Sequence, residues 1–362
     1  MLRMMAAGGI CLLVSAAPQT QYSVAEEAAS GAASLQVIVL RDNSAGVEAA
    51  VAPTEGGELS SFRVRFRGEW VELVYRARDY GPAAGFRGKA SILWPAVGGQ
   101  YPVGSVPASS CEDGSYQVGD RSYPMPCHGF AMSTPWQLAS HSADKAGARV
   151  SVELRDSEKT RASYPFGFLV RVTYELSGGR LTILSKVTAA STNAGPMPFS
   201  MGNHMSFRLP FVKGTDPAEM LFQSPNSFEL LRDSHGLVSL ERKPRSFAHA
   251  TRLGDFSATA ALPLAGYRGA PYALLADPGG LALRITQRAS SELPEPLVRF
   301  NVYGAPAQGF LSPEPWFGLQ NSLNLKQGVV TLAPGADWEW TVELQPKMAA
   351  LRRELQSPQE GK

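Results

Sequence analysis

Charged side chains, cysteines and long apolar runs are all scarce in this sequence of 362 residues. Asp, Glu, Lys and Arg make up 18% of it, below the roughly 25% of an average soluble protein. The 34 basic residues are nearly balanced by 32 acidic ones, so no net field would attract nucleic acid or an acidic membrane. Beyond the first residues no apolar run is long enough to cross a bilayer, so we expect a soluble mature chain with no nucleic-acid or membrane partner.

The first twenty residues have the three-part pattern of an export signal. Arg3 supplies a positive charge, residues 4–17 form a short apolar run, and Ala16 and Ala17 are small residues suited to cleavage. We therefore predict a signal peptide over residues 1–20, a linker over the Ala-, Glu- and Ser-rich residues 21–34, and a periplasmic or extracellular protein. A poorly ordered terminus or a misassigned start is the alternative.

Export would leave two of the three cysteines, Cys111 and Cys127. In an oxidising compartment such a pair can form a disulfide, and residues 112–126 between them are polar and rich in turn residues. A nucleophilic Cys127 beside His128 is the alternative. It is the weaker one, because neighbouring residues on a strand point to opposite faces. We therefore predict a disulfide between Cys111 and Cys127.

Strand patterns recur along the chain, whereas amphipathic helical patterns are nearly missing. In residues 167–176, Phe168, Val170 and Val172 alternate with more polar neighbours, and a period of two indicates a half-buried strand. Further segments of this kind are residues 36–40, 59–66, 69–75, 149–154, 181–189, 281–286, 297–303, 329–332 and 338–344. Many short strands separated by glycine-containing turns predict an all-β fold, a single large antiparallel β-sandwich over residues 35–346 with a charged tail at 347–362.

Two histidines and a glutamate stand in short segments rich in aromatic, glycine and proline residues. His128 lies in Cys-His-Gly-Phe at 127–130, His204 in a predicted long strand at 197–210, and Glu314 in Ser-Pro-Glu-Pro-Trp at 312–316. Histidine titrates near neutrality, and burial can tune a carboxylate upward to act as a base. Together, the two histidines and the glutamate can transfer protons without a metal or a cofactor. Since metal-ligand spacings such as H-E-x-x-H are missing, we predict neither a metal nor a cofactor.

Aromatic and amide side chains near these segments are candidates for a sugar-binding surface. Rings would stack on the sugar, while Glu, His and Asn groups would bind its hydroxyls. The candidate substrate-binding residues are Asn203, Trp94, Gln100, Phe207 and Trp316. Structural roles are the alternative: isolated histidines and tryptophans in β-proteins are often core residues, and Glu314 can cap a turn.

Seven segments, taken in order, resemble one known family. They are residues 56–62 (Gly-Gly-Glu-Leu-Ser-Ser-Phe), 92–95 (Ile-Leu-Trp-Pro), 123–131 (Tyr-Pro-Met-Pro-Cys-His-Gly-Phe-Ala), 164–166 (Tyr-Pro-Phe), 197–204 (Met-Pro-Phe-Ser-Met-Gly-Asn-His), 314–316 (Glu-Pro-Trp) and 332–335 (Leu-Ala-Pro-Gly). The chain resembles the aldose 1-epimerase (galactose mutarotase)-like family, nearest its hexose-6-phosphate mutarotase-related branch. The resemblance implies a galactose mutarotase-like supersandwich, in agreement with the strand pattern.

The resemblance also implies a function, the interconversion of the α and β anomers of an aldose by ring opening. By family position Glu314 would be the base, His204 the acid, and His128 a second donor that positions the ring. Family members often carry arginine where this chain has Gly99-Gln100, and again where it has Met132. Without those guanidinium groups a neutral sugar is favoured over a sugar phosphate. A non-catalytic carbohydrate-binding protein on the same fold is the alternative.

Overall fold

Alternation of buried and partly exposed side chains builds the long strands of this protein. A computed structural model describes residues 20–29, 32–75, 90–109, 111–234, 236–255, 261–291 and 297–348. In residues 168–177 the apolar side chains at every second position are buried, as the period-two pattern predicted. The strands pair antiparallel in sheets, which confirms the predicted all-β class.

Most of the described chain lies in β-strands. The first along the sequence are β1 (Tyr22–Ala29), β2 (Ala32–Asp42), β3 (Val47–Ala52), β4 (Glu58–Phe66), β5 (Glu69–Glu72), β6 (Ala90–Leu93), β7 (Gly114–Val118), β8 (Arg121–Met125), β9 (Gln137–Ala143), β10 (Ala148–Arg155), β11 (Phe168–Ser177), β12 (Arg180–Ala189) and β13 (Met197–Phe199). The others are β14 (Met201–Met205), β15 (Phe207–Arg208), β16 (Leu221–Ser224), β17 (Phe228–Arg232), β18 (Val238–Pro244), β19 (Phe247–Arg252), β20 (Leu262–Ala265), β21 (Tyr272–Asp277), β22 (Leu281–Ala289), β23 (Val298–Ala305), β24 (Phe310–Gly318), β25 (Val330–Leu332) and β26 (Asp337–Met348).

Two large sheets and one smaller sheet contain most of these strands. The nine-stranded sheet has the order β19-β16-β21-β22-β26-β12-β11-β10-β9, and β1 to β5 form a five-stranded sheet in chain order. The eight-stranded sheet has the order β18-β17-β20-β23-β24-β14-β6, with β15 also paired to β24. Two-stranded pairs join β7 to β8 and β13 to β25.

Helical structure is limited to short segments in the described residues. The α-helices are α1 (Glu158–Arg161) and α2 (Ser322–Leu325), each of four residues. No helix in this part of the chain has the length and apolarity needed to cross a bilayer.

The main core lies between the eight-stranded and nine-stranded sheets. Phe317 of β24 packs on Trp338 of β26 with ring centroids 4.9 Å apart, and Phe199 lies 5.4 Å from the same ring. The other face of the eight-stranded sheet carries a second, smaller cluster, made of Leu93, Val97, Leu230, Val238, Ala265, Val298, Trp316 and Leu319. Burial on both faces explains why β24 is buried at every position. Glu314 therefore sits in a strand screened from solvent on both sides.

Three sequence predictions are corrected by these elements. The predicted linker at 21–34 is wrong, because residues 22–29 form β1, paired antiparallel with β2, and bury Tyr22 and Ala29. The predicted strand at 197–210 is broken into β13, β14 and β15 at Ser200 and Ser206, whose buried hydroxyls bond to Val97 N and to the Ser312 hydroxyl. The tail predicted to begin at 347 starts inside β26, which ends at 348. Residues 1–19, which carry nearly all of the predicted signal peptide, and residues 349–362 lie outside the described residues.

A disulfide closes the loop that carries the hairpin of β7 and β8. Cys111 and Cys127 are bonded, with Cα atoms 5.3 Å apart across a sequence separation of 16. The backbone N–H of Cys127 also donates to Asp113 Oδ1 at 3.1 Å. The residue that follows, His128, is thereby tied to the rest of the loop.

Replacing both cysteines, Cys111→Ser with Cys127→Ser, should lower the free energy of unfolding by about 3 kcal/mol. The reason is that the open loop regains conformational entropy in the unfolded state. Urea titration followed by tryptophan fluorescence measures the change. As a control, reductant should destabilise the wild type but not the double variant. Equal unfolding midpoints for the two proteins would contradict this prediction.

Candidate active site

Strand register places Glu314 and His204 opposite each other on one face of the eight-stranded sheet. Gly202 of β14 pairs with Trp316 of β24. His204 lies two residues after Gly202 and Glu314 two residues before Trp316, and residues two apart on a strand share a face. Phe317, one position on, packs into the main core. Glu314, His204 and Trp316 therefore project away from that core, on the same side of the sheet.

The Glu314 carboxyl is held by hydrogen bonds at one oxygen and faces His204 with the other. Oε2 accepts from Trp316 Nε1 at 3.0 Å and from Asn301 Nδ2 at 3.3 Å. Oε1 lies 3.3 Å from His204 Nε2 and, within the described residues, accepts no hydrogen bond. Glu314 is 1% exposed and His204 5%. The carboxyl is thus oriented by protein donors while one oxygen is left for proton exchange.

Burial shifts the pKa values of Glu314 and His204 in opposite directions. It raises the pKa of Glu314 to about 8, against the opposing effects of Asn301, Trp316 and the Arg232 charge. It lowers the pKa of His204 to about 4. Between these two values the pair holds one titratable proton, which resides on the Glu314 carboxyl while the His204 ring is neutral. Such a pair can accept one proton and deliver another in the same event.

His128 reaches the same site from a tight turn rather than from a strand. Its backbone φ is 66°, in the left-handed region, and its ring centroid lies 5.8 Å from that of His204. The backbone N–H of Gly98 donates to His128 Nδ1 at 2.9 Å, so the neutral ring carries its proton on Nε2. Burial, together with His204, lowers the pKa of His128 to about 3. His128 is therefore a neutral hydrogen-bond donor at physiological pH.

The turn at His128 depends on close backbone packing against the segment of Trp94. The backbone N–H groups of Phe130 and Ala131 both donate to Trp94 O at 3.1 Å. A Cβ atom on Gly129 would lie 2.2 Å from that oxygen, and its φ of 75° also favours glycine. The disulfide restrains the turn on its other side. Cys111, Cys127 and His128 place potential ligand atoms within 4.8 Å of one another, but the disulfide removes both thiolates that a metal would need.

Three of the five candidate substrate-binding side chains lie away from the Glu314 face, and a fourth, Gln100, is engaged with backbone groups. Trp94 and Phe207 are fully enclosed in the main core, where Trp94 packs on Phe168 at 4.4 Å. The expectation that these two rings stack on a sugar is corrected, because neither presents any surface. Asn203 projects to the opposite face from its neighbour His204. Gln100 donates to Val97 O and Gly99 O and accepts from Leu323 N, so it holds backbone segments together.

Trp316 is the candidate that does reach the site, and other residues there had no sequence signal. The Trp316 ring lies 5.9 Å from His128 and donates to Glu314. Asn301 bonds Glu314 from the adjacent strand, where the two residues are register partners. Tyr303 lies 6.1 Å from the His204 ring. These contacts arise from pairing between strands, which no local motif reveals.

Comparison with known proteins agrees with this architecture. Two curated relatives, each named "Putative glucose-6-phosphate 1-epimerase", match short segments: 36% identity over 52 residues in Salmonella typhimurium and 43% over 44 in Escherichia coli. These segments cover 14% and 12% of this chain and 18% and 15% of the relatives, so the chain spans less than a fifth of their length.

Solved structures match over nearly the full length. A galactose mutarotase-like protein from Clostridium acetobutylicum has a TM-score of 0.71 at 18% identity, covering 91% of this chain and 99% of that one. Galactose 1-epimerase from Lactobacillus acidophilus has a TM-score of 0.67 at 18% identity, covering 92% and 100%. At such identities these likenesses establish the galactose mutarotase-like fold.

The family model described as aldose 1-epimerase matches residues 36–261, more than half of the chain. This match and the shared fold confirm the resemblance seen in the sequence. The chain belongs to the aldose 1-epimerase family.

Proposed function

We propose that this protein interconverts the α and β anomers of an aldose by acid–base catalysed ring opening. The observation that carries the proposal is the contact between Glu314 Oε1 and His204 Nε2 at 3.3 Å, in a buried pair whose pKa values burial shifts in opposite directions. Family membership supplies the reaction class. The site supplies one group to take a proton and another to give one.

The reaction moves two protons and breaks one bond. Glu314, as carboxylate, takes the proton of the anomeric hydroxyl, while His204, as imidazolium, gives a proton to the ring oxygen. The bond between the anomeric carbon and the ring oxygen breaks, leaving an open-chain aldehyde. Rotation of the aldehyde and reclosure by the reverse transfers give the other anomer. The carboxylate–imidazolium form holds the same number of protons as the neutral pair, so reaching it requires no exchange with solvent.

In this scheme His128 positions the substrate, and the buried setting of the site excludes water. The Nε2–H of His128 donates a hydrogen bond without being charged, so it positions the sugar ring rather than protonating it. Trp316 offers an apolar ring beside the carboxyl that it also orients. Excluding water from such a site strengthens each of these interactions.

We also infer that the protein is exported. The basic Arg3 followed by the apolar residues 4–17 supports a signal peptide. The Cys111–Cys127 disulfide supports an oxidising compartment, where such bonds persist. Expression with residues 1–20 in a bacterial host, followed by fractionation and mass determination of the N-terminus, tests this inference. Recovery of uncleaved protein from the cytoplasm alone would contradict the inference of export.

Glu314→Gln should reduce the catalysed rate by about 10²–10⁴-fold, because the amide cannot take a proton. The amide oxygen can still accept from Trp316, so the fold should be retained. Polarimetry of freshly dissolved α-glucose and α-galactose measures the rate. Glu69→Gln, at an exposed position of β5, is the matched control and should leave the rate unchanged.

If neither wild type nor Glu314→Gln equilibrates these sugars faster than buffer, the enzyme proposal fails for them. Sugar binding without turnover, measured by calorimetric titration, would then indicate the non-catalytic carbohydrate-binding alternative.

The pH dependence of kcat/KM should follow the proton content of the Glu314–His204 pair. Above a pH of about 8, Glu314 ionises while His204 is neutral, so the pair has lost the proton that it delivers. Below a pH of about 4, His204 is protonated and Glu314 remains protonated, so neither accepts a proton. We expect a plateau between these limits, measured after subtraction of the spontaneous rate. A catalysed rate that still rises through a pH of about 10 would contradict the assignment.

A further inference from the structure

Arg232 lies in β17, three strands away from Glu314 in the eight-stranded sheet. Asn301, the register partner of Glu314, pairs in turn with Pro263 of β20. Ala265, two residues on, pairs with Phe228 of β17, and residues two apart share a face. Arg232 lies four residues after Phe228, beyond a register irregularity that follows Leu230, so the register alone does not fix its face. The Arg232 and Glu314 charges act on each other's pKa, so the guanidinium lies within electrostatic reach of the carboxyl.

Neutral acceptors fix the position of the Arg232 guanidinium. Nη1 donates to Gly236 O at 2.7 Å and to Gln320 Oε1 at 3.5 Å, and Nε donates to Ala261 O at 3.3 Å. Gln320 also packs against Gly98, where a Cβ atom would meet its Cγ at 2.6 Å. Gly98 is the residue that bonds the His128 ring. The guanidinium is therefore linked to the His128 side of the site.

Two carboxyl groups, Glu314 and Asp233, act on the positive charge of Arg232, but neither forms an ion pair with it among the described residues. No ion pair within 4.0 Å involves Arg232 there, and its Nη2 donates no hydrogen bond within the same residues. Asp233 follows it, but that side chain is exposed and its Oδ1 accepts from Leu237 N at 3.0 Å. Burial lowers the pKa of Arg232, which shows that the charge is partly removed from water. A charge in this position is costly unless an anion accompanies it.

The other titratable groups of the site do not supply that anion near pH 7. Glu314 is mostly protonated, and His204 and His128 are neutral, given pKa values of about 8, 4 and 3. Because burial raises the pKa of Glu314, the Arg232 guanidinium faces a largely protonated carboxyl, and Asp233 is exposed to solvent. A carboxylate of charge −1 balances the guanidinium charge, whereas a phosphate monoester carries about −1.5 to −2 at this pH.

We propose that Arg232 is a specificity-determining residue that binds the carboxylate of a hexuronic acid, making an acidic aldose the preferred substrate. The inference rests on the proposed epimerase function and names its substrate class. It replaces the neutral sugar favoured by the sequence, because the structure brings a guanidinium into the site from a strand that no motif marks. The Nη2 donors bind the substrate carboxylate while Glu314 and His204 act at the anomeric centre.

The test compares anomer exchange rates across a panel of sugars at pH 7 by exchange NMR. The panel contains galacturonate and glucuronate, their neutral counterparts galactose and glucose, and glucose 6-phosphate. Wild type should show kcat/KM about 10- to 100-fold higher for each hexuronate than for its neutral counterpart, as expected for a charge-assisted hydrogen bond. Arg232→Gln should bring this ratio near 1, mainly through a higher KM for the hexuronate.

Two further variants make the result specific. Arg288→Gln removes the same charge from an exposed position of β22 and should leave the ratio unchanged. Arg232→Lys keeps the positive charge but lacks the planar, two-pronged guanidinium, so it should retain only part of the preference for hexuronates. Arg232→Lys also tests the proposal if Arg232→Gln fails to fold, which thermal denaturation would reveal.

Each outcome separates this inference from the proposed function. Turnover of neutral sugars with no preference for hexuronates, or equal losses on both in Arg232→Gln, overturns the role of Arg232 and leaves the epimerase proposal standing. A preference for glucose 6-phosphate over hexuronates overturns the carboxylate assignment. If no sugar is turned over, the epimerase proposal fails. Calorimetric titration of wild type and Arg232→Gln with galacturonate then tests Arg232 alone, and equal affinities overturn its role.

Discussion

The pairing register between β14 and β24 is the constraint on which the candidate active site depends. It sets Gly202 opposite Trp316 and thereby brings His204 opposite Glu314. A slip of one residue would turn Glu314 toward the main core and Phe317 toward the site, because alternate residues of a strand point to opposite faces. Packing of Phe317 on Trp338 in the main core therefore stabilises the register that places the Glu314 carboxyl opposite His204.

Burial of β24 on both faces then determines the electrostatics. The same loss of water raises the pKa of an acid and lowers that of a base, so one structural cause favours the neutral forms of both Glu314 and His204. Asn301 and Trp316 orient the carboxyl and moderate the effect. His128 is held at a strained backbone angle between the disulfide and Gly129, with its tautomer set by Gly98. The site is thus preorganised by elements that are far apart in the sequence.

Much of this arrangement was predictable from the sequence because it depends on local patterns. Alternation at 167–176 predicted a strand, and the segments around His128, His204 and Glu314 predicted the aldose 1-epimerase family. Residues 21–34 were misassigned because small and acidic residues are typical of linkers, yet β1 needs few apolar contacts when its partner β2 supplies the backbone hydrogen bonds. Trp94 was predicted to bind the sugar, because an aromatic ring in the sequence is equally compatible with a place in the core and with a sugar-binding surface.

By itself the sequence determined the strand-forming segments, the cysteine pair and the three side chains suited to proton transfer, since each is encoded within a few residues. Only the tertiary structure decided which faces those strands turn to one another. It buried Trp94 and Phe207, turned Asn203 to the opposite face, and paired Asn301 with Glu314. It also brought the Arg232 charge close enough to act on the pKa of Glu314. The physical reason is that strand register and burial are set by pairings between residues tens to hundreds of positions apart, and they control both the position of a side chain and its affinity for a proton.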